Sequence, residues 1–399
     1  MSKGWTTGAV ALAAALLGGI VALVGAWAVG ATDGGTSTVY VPTSAGVVVQ
    51  NEPVSASARP LVGSRFDPAR IYAARSPGVV TIYAFFDKAE EHAAQGSGFV
   101  VSPQGDILTS AHVITTAGES TKTTPATRVY VGFKDEDRVQ ARIVGWDVYD
   151  DVALLRVDPD DHQLAPVPLG DSSQVRAGDP VAAMGSPFGN EDSIAVGVVS
   201  AVRRSISSLT SLYKVVDAIQ TDAPITHGNS GGPLFDARGR VIGINAQIRT
   251  DTGNAEGVGF AIPINAAQRS MRQLAAIGHV VYGYLGVTTE DLTPSIARRF
   301  GYSVTRGAII SSVRDGSPAD GAGIQGASKI RSFNGQDVAD DADVIVGIDG
   351  KQVKNADDIV REVGDRLPGE VVSLTLVRGS ERKVVRVRLV ERPNTPARR

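Results

Sequence analysis

The hydrophobic pattern of this chain changes character three times. Residues 8–31 run without a charge, from Gly8-Ala9-Val10-Ala11 to Val29-Gly30-Ala31. About 20 apolar residues carry a helix across a bilayer, so this run predicts a membrane span with 1–7 on its near side. From 32 to 66 the periodicity dissolves into Gly, Ser, Thr, Ala and Pro, interrupted by Val47-Val48-Val49, and this predicts a tether with no core of its own. From Asp67 onward, short β-rich runs alternate with Gly- and Pro-containing turns. Residues 96–101 and 107–113 read as a hairpin through Ser102-Pro103-Gln104-Gly105-Asp106, 151–157 as a largely buried strand, and 218–222 and 242–246 as extended runs. The spacing turns helical over 265–274, which is expected to close a unit spanning 67–280. A second unit covers 281–392, with a helix near 355–363, and 393–399 form a tail.

Composition narrows the compartment and the chemistry. Lys3 and the terminal amine keep the start of the chain inside by the positive-inside rule, so the body faces outward. The alternative is a cleaved signal peptide, because Ala26-Trp27-Ala28 has a small-x-small form. Both place the body outside the cytoplasm. With no cysteine there is no disulfide and no cysteine-linked lipid, so the core must hold itself together. No His-Glu-x-x-His, no Cys cluster and no phosphate-cradling loop occurs, so neither a metal nor a cofactor is expected. A net charge of −3 argues against nucleic acid. Arg392, Arg398 and Arg399 read as a small, solvated basic tail.

The candidate chemistry centres on Thr226-His227-Gly228-Asn229-Ser230-Gly231-Gly232-Pro233-Leu234. A serine nucleophile needs an adjacent base and backbone N–H groups aimed at the developing oxyanion, and flanking glycines permit the tight turn that supplies both. Gly-x-Ser-x-Gly also suits the nucleophile elbow of an α/β-hydrolase, whose histidine follows the serine. Only His279 lies after Ser230, without an oxyanion motif to accompany it. Upstream, His112 ends a predicted strand and Asp151 opens another. An aspartate at the mouth of a buried strand needs a hydrogen-bond donor, and an imidazole N–H is the natural one. The roles follow: Ser230 attacks, His112 moves the proton, and Asp151 holds the tautomer. The backbone at Gly228, Asn229 and Ser230 would form the oxyanion hole. Among the rivals, His227 sits in the same tight turn as Ser230, and His92 and His162 lie in polar loops expected to be solvated. Asp147 and Asp150 compete with Asp151, which alone directly precedes the apolar run.

These residues resemble the HtrA/Deg family of serine proteases. The resemblance rests on Thr109-Ser110-Ala111-His112-Val113, Asp151-Val152-Ala153-Leu154 and 228–234, flanked by Gly96-Ser97-Gly98-Phe99-Val100, Met184-Gly185-Ser186-Pro187-Phe188-Gly189, Gln220-Thr221-Asp222-Ala223 and 257–263. His227 departs from the family, which often carries Pro or Arg there. The resemblance implies a mostly β protein, a chymotrypsin-like double antiparallel β-barrel followed by a PDZ domain. Tyr284-Leu285-Gly286-Val287 would be the carboxylate-binding loop, which grips a C-terminus as an added strand. Against the compact family pattern, 325–341 is an insertion, read as a hairpin around Asn334-Gly335.

The expected activity is ATP-independent endopeptidase cleavage of unfolded or damaged extracytoplasmic proteins. In trypsin-like enzymes an aspartate six residues before the nucleophile selects Arg or Lys, and that position here is Pro224. With Ile225, Asn245 and Ala246 it would form a modest apolar pocket taking small aliphatic residues. The resemblance also implies a homotrimer. The competing reading is a proteolytically silent PDZ adaptor or chaperone.

Overall fold

The computed structural model describes residues 66–87, 93–117, 123–186, 193–208, 210–211, 213–225, 228–246 and 258–393. The predicted span at 8–31, the tether to residue 65, His92 and His227 lie outside them. Among the described residues no helix is long and apolar enough to cross a membrane.

Two closed antiparallel barrels carry the first part of the chain. The first is built from β1 (Val79–Phe85), β2 (Ala93–Val100), β3 (Asp106–Thr109), β4 (Arg128–Gly132), β5 (Arg138–Asp147) and β6 (Val152–Arg156), in the order β1-β2-β3-β6-β5-β4. Alternation decides which side chains fill it, since neighbouring residues of a strand face opposite sides. Val129 and Val131 of β4 and Val139 and Ala141 of β5 point inward with Ile82, Ile107 and Leu155. The second barrel closes as β10-β11-β12-β9-β8-β7. Its strands are β7 (Pro180–Gly185), β8 (Ser193–Ser207), β9 (Lys214–Thr221), β10 (Pro233–Asp236), β11 (Val241–Ala246) and β12 (Gly259–Pro263). A helix that the sequence reading missed, α1 (Pro68–Arg75), precedes β1, capped by the Asp67 carboxylate accepting from Arg70 N.

His112 lies elsewhere than at the end of a strand. The strand stops at Thr109, and Ala111–Ile114 make a single helical turn, α2, after extended Ser110. The helix expected over 265–274 is α3 (Ile264–Ile277), which buries Ile264, Ala267, Ser270 and Leu274 at helical spacing and ends at left-handed Gly278.

The second unit of the chain opens with β13 (Gly283–Tyr284), which pairs with β22 (Val390–Glu391) at its far end. Its main sheet runs β14 (Val287–Leu292), β15 (Gly307–Val313), β18 (Val344–Ile348), β20 (Val371–Arg378) and β21 (Glu381–Arg388), with β19 (Lys351–Gln352) beside β18. Residues 325–341 do contain a hairpin, β16 (Lys329–Phe333) and β17 (Gln336–Asp340). Asn334 and Gly335 both adopt positive φ, 53° and 78°, as a tight two-residue hairpin turn demands. At the neck of this insertion Gln325 and Asp343 exchange hydrogen bonds, and the buried Asp343 carboxylate is paired with Arg378 at 2.6 Å. Short helices α4 (Pro294–Phe300) and α5 (Pro318–Gly321) flank the sheet, and α6 (Ala356–Gly364) packs beside β14.

Candidate functional site

The turn around Ser230 is held by three backbone bonds to two strands, β2 and β11. Ser97 N of β2 donates to Ser230 O at 2.8 Å, Gly231 N donates to Asn245 O at 2.9 Å, and Asn245 N donates to Gly232 O at 2.8 Å. Gly231 can be nothing larger: φ is +85°, and a Cβ there would lie 2.3 Å from Ser97 O and 2.4 Å from Thr109 Oγ1. These contacts set Ser230 against the end of β3, next to the turn that carries His112. The serine is buried, at 5% exposure, and among the described residues its Oγ has no hydrogen-bond partner.

His112 and Asp151 meet twice. Asp151 Oδ2 lies 2.7 Å from His112 Nδ1, while Oδ1 accepts from His112 N at 2.9 Å. One carboxylate thus fixes both the ring and the backbone of the same residue. Asp151 is buried and takes positive φ, 53°, an unusual angle for a residue with a side chain. Its carbonyl accepts from Ala111 N at 3.3 Å, a further link to the histidine turn. The rival acids have other work. Asp147 is buried against Ser270 and Tyr282, and Asp150 pairs with Arg269 at 2.8 Å. Burial, with the charge of Asp150 beside it, pushes the Asp147 carboxyl up to about 6.

At the proposed oxyanion turn, Gly228 has φ +99° and its carbonyl accepts from Ser97 Oγ at 2.5 Å. Among the described residues the N–H groups of Gly228 and Ser230 make no hydrogen bond. Asn229 is engaged structurally, its carbonyl accepting from Gly232 N and its side-chain oxygen from Ser193 Oγ. Ser97 is the residue that sequence reasoning passed over. It was visible only as the middle of Gly96-Ser97-Gly98, yet its hydroxyl also accepts from Ser186 N at 2.8 Å, and Thr81 Oγ1 in turn donates to Ser186 Oγ at 2.5 Å. A chain of hydrogen bonds passing through the side chain and backbone of Ser186 therefore runs from β1 to the Ser230 turn.

The candidate specificity residues divide. Pro224 is exposed and Ile225 half-buried near Gly259. Asn245 is fully buried, and its amide donates to Met184 O and Pro233 O at 3.0 and 3.2 Å, so it braces the second barrel from inside instead of facing a substrate. Ala246 is buried in the same core. His162, expected to be solvated, stacks on Phe133 with ring centroids 3.7 Å apart and bonds Asp135 through Nε2. A cavity of about 870 Å³ opens on the first barrel beside Arg128, Arg142, Trp146 and Arg156, and it includes none of the triad candidates.

In the second unit, Tyr284, Leu285, Gly286 and Val287 make the bend from β13 into β14. Leu285 O accepts from Ala319 N, and Gly286 O from Arg314 N. Beyond them β14 has a strand on one side only, and its other edge faces α6, whose Ala356 N donates to Asp291 Oδ1 at 2.8 Å. An edge strand beside a helix leaves a channel in which an extended peptide can add as a strand. Among the described residues no group of acids and histidines suited to a metal ion occurs.

Comparison with known proteins follows the same division. Residues 96–244 match the trypsin-like peptidase domain and 283–389 the PDZ domain. The chain is 38% identical over 304 residues to a probable periplasmic serine endoprotease DegP-like of Hahella chejuensis, covering 76% of this chain and 58% of that one. It is 40% identical over 258 residues to a protein of the same description in Pseudomonas fluorescens, covering 65% and 51%. This chain therefore spans only about half to three-fifths of the curated relatives it matches. Among solved structures, the HtrA-type protease AlgW with tripeptide superposes with TM-score 0.67 at 31% identity, covering 82% of this chain and 98% of that one. The serine endoprotease from Yersinia pestis gives TM-score 0.57 at 26% identity, covering 82% and 98%.

Proposed function

This chain belongs to the HtrA-type serine proteases, and on that premise we propose that it is an ATP-independent serine endopeptidase acting on unfolded proteins through an acyl-enzyme. The observation that carries the reading is the double contact between Asp151 and His112, set beside a serine whose turn is stapled to β2. In the proposed mechanism Asp151 keeps the proton on His112 Nδ1, which leaves Nε2 as the base for Ser230 Oγ. The unpartnered Ser230 hydroxyl suits a resting arrangement in which the serine–histidine bond closes as substrate docks; catalytic hydrogen bonds are commonly long in free enzymes. The N–H groups of Gly228 and Ser230, which carry no other bond among the described residues, then receive the oxyanion. His112 afterwards returns its proton to the leaving amine, and water completes the cycle.

Pro224 and Ile225 put no charge at the entrance to the specificity site, so cleavage falls after small aliphatic residues such as Val, Ala or Leu, which an unfolded chain exposes. The channel between β14 and α6 would receive the C-terminus of a substrate or effector, with its carboxylate at 284–287. The naming of the curated relatives as periplasmic supports an extracytoplasmic body; the proposal adds 8–31 as its anchor, from the uncharged run there, and a homotrimer as its assembly. The test is cleavage of unfolded casein by the full chain beside Ser230→Ala. Wild-type cleavage with none in the variant is the expected result; equal cleavage would remove Ser230 as nucleophile, and no cleavage by either would favour a silent PDZ adaptor.

A further inference from the structure

The turn that delivers Asp151 is held from outside at each position. Asp147 Oδ1 accepts from Tyr149 N at 2.9 Å and from Asp150 N at 3.3 Å, while Oδ2 accepts from Ser270 Oγ at 2.7 Å and from the Tyr282 hydroxyl. Val148 O accepts from Thr210 Oγ1 at 2.5 Å. Tyr149 OH donates to Pro393 O at 3.1 Å. Asp150 binds Arg269, whose other guanidinium nitrogen reaches Asp365 at the end of α6. Tyr282, Asp365 and Pro393 lie beyond the protease barrels, so the PDZ part of the chain completes the support of a protease turn.

At the centre of this joint lies Arg392, which the sequence suggested was part of a solvated tail. Its guanidinium carbon lies 5.0, 4.9 and 4.8 Å from the ring centroids of Tyr149, Tyr213 and Tyr282. Tyr149 is edge-on to both of the others, meeting Tyr213 at 5.4 Å and Tyr282 at 5.2 Å. Arg392 Nε is buried and has no hydrogen-bond partner among the described residues, and its backbone N donates to Tyr282 O at 3.0 Å. A half-buried planar cation faced by three rings is held by their quadrupoles, an attraction that grows with desolvation. One ring belongs to the acid turn, one to the stretch leading into β9 and one to the connection between the barrels and the PDZ part.

We propose that Arg392 is a positioning residue for the Asp151 carboxylate, locking the 147–151 turn and Tyr213 against the end of β22. The reason lies in the backbone of Asp151. A left-handed aspartate is unfavourable by itself and persists only where its surroundings over-determine it. Here Tyr149, two residues earlier, is fixed by the arginine and by Pro393. Without the cation the three tyrosines have no common partner, the turn can relax, and the carboxylate no longer meets both His112 Nδ1 and His112 N. The PDZ part then serves the triad through a side chain at its far end, independently of any peptide in its channel.

This inference rests on the proposed roles of His112, Asp151 and Ser230, and its test separates the two. Arg392→Ala and Arg392→Lys are made in the full chain. Each is assayed on a short chromogenic substrate with an aliphatic residue before the cut, and by the low-field proton NMR signal of His112 Nδ1–H. Arg392→Ala should lose about 10–100-fold in kcat with KM changed less than about twofold, since a small misplacement of a catalytic group costs on this scale. Its Nδ1 signal should broaden or vanish. Arg392→Lys returns a cation to the rings and should recover most of both. Unchanged kcat with an intact signal in Arg392→Ala overturns the proposal, as does a fallen kcat with an intact signal, or a lysine that restores nothing. If Arg392→Ala melts below the assay temperature, Arg392→Gln, neutral and of similar reach, is read the same way. A wild-type chain that turns over no substrate sinks the peptidase reading, while the proton signal still judges the positioning.

Discussion

Replacing Ser97 with alanine would remove one hydroxyl from between two backbone groups. That hydroxyl donates to Gly228 O at 2.5 Å and accepts from Ser186 N at 2.8 Å, and Ser97 has no exposed surface through which water could take its place. Ser97→Ala therefore strands a largely buried N–H and weakens the hold on the carbonyl of the oxyanion turn. An orphaned buried group costs about 1–3 kcal/mol, and Gly228, being half-buried, can recover part of its loss from solvent. About 3 kcal/mol in total is the expected destabilisation, or roughly 6–12 °C in Tm at about 2–4 °C per kcal/mol for a domain of this size. Because the released carbonyl belongs to the turn carrying the proposed oxyanion donors, kcat on a short substrate should fall about 10–100-fold. Calorimetry and steady-state kinetics on the full chain read both quantities. A variant with Tm within about 1 °C and kcat within about twofold of wild type would refute the role given to this chain of hydrogen bonds from β1 to Ser230.

Three further outcomes follow from the same geometry. Asp151→Asn should cut kcat by about 10⁴-fold while the chain still folds, because an amide stabilises the wrong His112 tautomer; a loss under tenfold would remove Asp151 as the orienting acid. Product mapping on an unfolded substrate should find small aliphatic residues before the cut, and a majority of Arg or Lys would contradict the reading of Pro224. Asp147, facing Asp150, Arg269, Tyr149 and Tyr282, has a carboxyl raised to about 6 by burial and by Asp150. The folded state thus holds this proton more tightly than the unfolded chain does, so the stability it contributes is full below about pH 4 and lost as pH rises through about 6. Asp147→Asn should therefore gain Tm relative to wild type between pH 4 and pH 7, and parallel Tm-against-pH curves would show that the buried carboxylate carries no such linkage.

How much of this was legible in the residues depends on the distance over which each feature is decided. Gly228 to Pro233 announce a tight serine turn because glycine backbone angles are a local matter, and the Asn334-Gly335 turn was readable for the same reason. The helix over Ile264–Ile277 was visible in its apolar spacing, and β-rich runs bounded by Gly and Pro turns marked strands such as Val152–Arg156 and Val241–Ala246. The relation of Ser230 to a histidine 118 positions earlier came through motif order, which local pattern cannot supply. Beyond that reach the sequence was silent or misleading. Asn245, polar and next to an alanine, read as pocket lining, but two carbonyls turned its amide inward. His112 read as a strand end, but the chain folds one helical turn there, held by Asp151 from 39 residues away. Arg392 looked like tail because its neighbours in sequence are polar and charged. Its true neighbours, Tyr149, Tyr213 and Tyr282, are gathered only when the PDZ sheet closes and β22 returns to β13. Local backbone preference and periodicity are written residue by residue, whereas a buried polar group is defined by partners far along the chain, and only the folded structure names them.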